Sequence, residues 1–78
     1  MPENKMKFIE MTGATLESML SENELEQLSG AGVGDQSIVR VNQHGDIEVR
    51  RELKWDVIGG LLGNFEERIK KQTGFEWA

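Results

Sequence analysis

The stretch SIVRVNQHGDIEVRREL, residues 37–53, decides the fold. Its two halves alternate apolar and polar side chains around Gln43-His44-Gly45, the period of two expected of half-buried strands. Pairing Val41 with Ile47 and Val39 with Val49 leaves a three-residue loop ending in glycine, which suits a type I turn followed by a left-handed residue. The same register sets Arg40 opposite Glu48 on the outer face, a cross-strand pair of opposite charge. A β-hairpin is therefore the frame on which the rest must pack.

Upstream of the hairpin, TLESML (15–20) places Leu16, Met19 and Leu20 on one helical stripe. Leu25 and Leu28 fall on other faces of the same wheel, so residues 15–28 read as two short helices rather than one. Ser21 and Glu24 supply an S-x-x-E capping box for the second, Glu22 and Glu24 favour its N-terminus, and Gly30 supplies its stop. Residues 30–36 then read as a glycine-rich, flexible connection. Residues 1–11 read either as a flexible lead or as a third short strand over 5–11, a role open also to 75–77.

Downstream, Asp56 is placed to cap a helix over VIGGLLGNFEERIKKQ (57–72), with Lys70 and Lys71 in its last turn and Gly74 at its end. Val57, Ile58, Leu61, Leu62, Phe65 and Ile69 would span an arc of about 140° on that helix. The expected fold class is thus α+β: a short N-terminal helical pair, a β-hairpin, and a C-terminal amphipathic helix packed on the hairpin, all in one small domain over residues 1–78. Val39, Val41, Ile47 and Val49 should meet Leu16, Leu20, Leu25, Leu28, Trp55 and Phe65 in the core.

Read this way, Gly59, Gly60 and Gly63 lie on the helix face opposite the apolar stripe. Three glycines in an exposed helix interior cost about 2.5–3 kcal/mol relative to alanine, which something should offset. Close approach of another backbone to the Gly59/Gly63 pair is one answer. The approaching body would be a protein partner or a second copy of the chain, with the tail aromatics Phe75 and Trp77 as further contacts. The chain's own N-terminal segment or hairpin could also cover that face, and a helix starting late, near Leu61, would abolish it. The resulting expectation is a small non-catalytic protein–protein interaction module, a regulator or accessory subunit, without cofactor or metal.

Composition narrows the alternatives. The 78 residues are 37% apolar and 29% charged, enough apolar content for one small core. With no cysteine, disulfide and thiolate chemistry are excluded, and the single histidine, His44, would need Asp46 or Glu48 to make an enzyme or ligand site. Residues 1–36 carry two basic and seven acidic side chains, residues 37–78 seven of each, for a net charge of −5. That balance makes nucleic acid an unexpected partner. Arg40, Arg50, Arg51 and Lys54 beside Trp55 could form a stacking surface, but Glu48 and Glu52 interleave with them. Glu17, Glu22, Glu24 and Glu26 read as a solvated acidic face. No apolar run reaches the length of a secretory signal or a membrane span, so a cytoplasmic location without an integral membrane segment is expected.

Two resemblances add to this reading. ENELEQLSGAG (22–32) resembles the end of the double-glycine leaders that precede ribosomally made peptides, with Gly30-Ala31 in place of the glycine pair, which would imply a peptide precursor released from Gly32. VNQHGDIEVR and WDVIGGLLGNFEERIKKQTGFEWA, together the C-terminal half, are similar to small cyanobacterial proteins of unassigned function. That similarity implies a bacterial cytoplasmic setting and carries no functional residues with it.

Overall fold

The computed structural model describes residues 7–61 and 63–77. Along the chain run β1 (Phe8–Thr12), α1 (Gly13–Glu17), α2 (Glu22–Gly30), β2 (Ile38–Asn42), β3 (Asp46–Arg51), β4 (Lys54–Gly60) and α3 (Phe65–Thr73). The strands form one antiparallel sheet in the order β1-β2-β3-β4. The fold is α+β, as expected, with more strands than the hairpin alone.

The hairpin has the expected register, Val39 opposite Val49, Arg40 opposite Glu48 and Val41 opposite Ile47. Gly45 at its tip has φ +90°, which favours glycine over any side-chain-bearing residue. Ile9 and Met11 on β1 extend the apolar row of Val39, Val41, Ile47 and Val49, all on one face of the sheet. Leu16, Met19, Leu28, Val33, Leu61 and Ile69 close that face into the buried core. Ser21 caps α2 through the reciprocal box with Glu24.

Other expectations are corrected. The helix expected from Val57 begins at Phe65, and residues 54–60 form the fourth strand. Trp55, Val57 and Ile58 are strand-favouring residue types, and the three glycines would have burdened a helix. As a strand the segment satisfies the edge of β3, with a bulge between Ile47 and Glu48 that leaves Ile58 as the extra residue. Asp56, expected as a helix cap, lies on this strand 3.5 Å from Arg51. The end of α3 is as read, with Lys70 and Lys71 in its last turn and Gly74 left-handed. Leu62, expected on the apolar stripe, and residues 5 and 6, expected in the first strand, lie outside the described residues.

Trp55 sits on the opposite sheet face from the core, because it pairs with Arg50, out of phase with Val49. Leu25 is half-buried and outside the core cluster, and residues 75–77 form no strand. Gly30 is the last residue of α2, and the left-handed glycine after it is Gly32. The segment leading from there to β2 is fastened to the start of α1. Gly13 N–H donates to the Ser37 carbonyl (2.7 Å) and Ala14 N–H to that of Asp35 (3.0 Å). A Cβ on Gly13 would lie 1.9 Å from the Gly34 carbonyl oxygen, so only glycine permits this approach.

Candidate functional site

Antiparallel alternation gives the sheet two faces, and α1, α2 and α3 all contribute to the core on one of them. The other carries Phe8, Glu10 and Thr12 from β1, Ile38 and Arg40 from β2, Glu48 and Arg50 from β3, and Trp55 and Val57 from β4. At its centre the Arg40 guanidinium lies 3.7 Å from the Phe8 ring centroid and 4.2 Å from that of Trp55, between two aromatic faces. Its Nε and Nη2 both donate to Glu48 Oε1, at 3.0 and 2.7 Å. The Arg50 guanidinium also lies over the Trp55 ring, 5.8 Å from its centroid.

This cluster ties all four strands together across their outward face: Phe8 from the first, Arg40 from the second, Glu48 from the third and Trp55 from the fourth. Around it stand Ile38, 42% exposed, and Val57, 68% exposed. The arginine's charge is balanced by Glu48 and spread over the rings, which leaves a rigid, nearly neutral aromatic and aliphatic platform. The Arg40–Glu48 pair is legible from the register. The stacking is not, since it needs β1 and β4 in place.

The residues singled out in the sequence are dispersed. Gly59 lies on β4 facing α2, where an added Cβ would come within 2.9 Å of Gln27 Oε1. Gly60 ends the same strand, and Gly63 is in the turn before α3 with φ +75°. No helical glycine face exists, because none of the three is helical. Phe75 is 62% exposed. Phe75, Glu76, Phe8, Ile9 and Glu10 line a groove of about 270 Å³ beside β1. Trp77 instead packs on the core: its indole N–H donates to the Val41 carbonyl (2.9 Å), and its ring meets Phe65 edge-on at 5.7 Å. Its contacts are with its own chain.

His44 stands exposed at the hairpin tip. Its neighbours are committed elsewhere. Asn42 donates to Asp46 Oδ2, while Asn42 Oδ1 accepts the backbone N–H groups of His44 and Asp46. Glu48 holds Arg40. Among the described residues, no group of three or more His, Cys, Asp and Glu side chains could hold a metal ion.

A second, polar groove of about 400 Å³ lies between α2, the end of β4 and α3, lined in part by Ser21, Gln27, Gly60 and Asn64. Its wall is the Glu24–Arg68 pair, at 3.0 and 3.3 Å, with Arg68 also donating to the Met19 carbonyl. The Arg68 guanidinium, aided by the Ser21 amide and hydroxyl, holds the Glu24 carboxyl down to about 2 despite its partial burial. Elsewhere on the acidic side, a shared hydrogen bond with Asp35 pushes the Glu17 carboxyl above its ordinary value.

The Gly30-Ala31 pair joins two parts of one core, with Leu28 buried before it and Val33 after it. Cleavage there would separate β1 from β2. Among the described residues, no helix is long and apolar enough to cross a membrane. The chain matches no known protein family, no curated protein and no solved structure.

Proposed function

We propose that this chain is a small non-catalytic protein–protein interaction module, a regulator or accessory subunit, whose contact surface is the uncovered face of its sheet. The observation that carries this reading is the Phe8–Arg40–Trp55 stack, flanked by exposed Ile38 and Val57, on the sheet face opposite the one where the helices of the described residues build the core. Antiparallel sheets commonly leave one face to solvent, and such a face is ordinarily polar. Here it combines tryptophan and arginine, residue types enriched among interface anchors, with aliphatic side chains, on a backbone whose four strands fix their positions. A preorganised surface of this kind loses little conformational entropy on binding.

The proposed surface replaces the glycine strip with outward-facing residues of all four strands, Trp55 and Val57 on β4 among them. Phe75, at the margin of β1, extends it. A cytoplasmic setting, as the resemblance to small cyanobacterial proteins implies, suits a chain without cysteine.

The test uses Ile38→Asp and Arg50→Glu, both on the outward face. Proteins crosslinked to the wild-type chain in its native cell are identified, and the purified candidate is titrated against all three forms. Each variant should keep the wild-type circular dichroism and melting curve while weakening binding at least about tenfold, equivalent to about 1.4 kcal/mol. Equal binding by folded variants would move the interface off this face.

A further inference from the structure

β4 is a terminal strand of the sheet. Among the described residues, no hydrogen bond from elsewhere in the chain reaches the outward backbone groups of residues 54–57. The other terminal strand, β1, is flanked by Phe75 and Glu76. Because Arg51 and Lys54 close a two-residue turn, the ladder's alternation directs the N–H and C=O of Trp55 and Val57 away from β3. The bulge at Ile58 then breaks the alternation. This leaves Lys54, Trp55, Asp56 and Val57 available for pairing, with the turn residue Leu53 directly before them.

With Leu53, that run is self-complementary about Trp55: apolar, basic, aromatic, acidic, apolar in one direction meets apolar, acidic, aromatic, basic, apolar in the other. Antiparallel pairing with an identical strand about a two-fold axis at Trp55 sets Trp55 opposite Trp55. It also places each Lys54 opposite the other copy's Asp56 and brings each Leu53 to the other copy's Val57. Leu53 and Val57, at 95% and 68% exposure, are the most exposed large apolar side chains among the described residues, and this register pairs them with each other. The neighbouring register, centred on Asp56, would set two aspartates directly opposite one another, which is destabilising. Lysine on an edge strand ordinarily repels a second strand; here the same lysine finds an aspartate.

We infer that the β4 edge is a self-association site, at which two copies pair antiparallel about Trp55 and join their sheets into one of eight strands. The contact is short, so the dimer is a reversible one. It rests on the backbone edge of β4, although Trp55 and Val57 also belong to the outward face; charge reversal at Lys54 and Asp56, which are out of phase with that face, tests the edge separately.

Charge reversal tests the register. Sedimentation of the wild-type chain should show a monomer–dimer equilibrium. Lys54→Glu alone places two glutamate–aspartate pairs in the ladder, and Asp56→Lys alone places two lysine–lysine pairs, so each should weaken self-association about tenfold or more. An equimolar mixture of the two variants restores both attractive pairs in a heterodimer and should recover the wild-type affinity. That recovery also shows both variants to be folded. A wild-type chain monomeric at millimolar concentration would overturn the inference, as would single variants that associate normally or a mixture no tighter than either variant alone.

Discussion

The two hairpins of this sheet share β3 but are built on different terms. At the β2–β3 tip, every element of the turn is written locally. Gly45 takes φ +90°, Asn42 Oδ1 accepts two backbone N–H groups, and the loop length matches a standard turn. At the β3–β4 tip the chain turns over Glu52 and Leu53, with Glu52 at φ +55° and neither glycine nor asparagine present. A two-residue turn with positive φ at its first central position ordinarily takes glycine there. The first hairpin is thus specified by its turn, while the second is held by the ladder and by the anchoring of the residue just past β4. Leu61 N–H donates to the Gly45 carbonyl at 2.8 Å, so the end of β4 is fastened to the tip of the first hairpin.

The sharpest way to break this contrast is Gly45→Ala. The new Cβ would sit 3.0 Å from the Leu61 carbonyl oxygen and 3.1 Å from the Phe65 ring, at a backbone conformation that L residues rarely adopt. Both hairpins are affected at once, so urea denaturation should show a loss of about 2–3 kcal/mol. A loss below about 0.5 kcal/mol, within the range of ordinary surface substitutions, would mean that the tips are independent.

A middle-sized effect comes from the pair that joins α2 to the helix after β4. Glu24 is held at about 2 by Arg68, below its unfolded value of about 4.5. A carboxyl depressed in the folded state stabilises fully above its unfolded value, and that contribution is lost as pH falls through the folded one. After discount for solvent screening it amounts to about 1 kcal/mol, lost between about pH 4.5 and 2. Glu24→Gln should flatten the melting-temperature profile over that window. A variant as pH-sensitive as the wild type would assign the acid sensitivity elsewhere.

The smallest effect sharpens the comparison from the other side. Glu52→Gly relieves the positive φ of the second tip and should raise stability by about 0.5 kcal/mol, the strain relieved exceeding the added chain entropy. A lower midpoint in urea would show that Glu52 contributes something the turn geometry does not reveal.

The same contrast explains how much of the fold is legible in the residues alone. The first hairpin, the Ser21–Glu24 box, the Gly74 stop and the α+β class derive from local rules of alternation, capping and turn chemistry. β4 does not, because Val57, Ile58, Leu61 and Phe65 also fit a helical stripe and Asp56 fits a helix cap. Only pairing with β3, a non-local contact, decides between the two periods. The platform around Arg40 depends on two such non-local pairings. Trp55 reaches it only if β4 is a strand, and Phe8 only if β1 lies next to β2. The three glycines are indeed poor helix residues, and their penalty is avoided rather than offset.

Gly13 carries a consequence for kinship. The contact between the start of α1 and the carbonyl of Gly34 leaves no volume for even a methyl group. A chain that shares this architecture, however far its sequence has drifted, would have to keep a bare backbone where its first strand runs into its first helix.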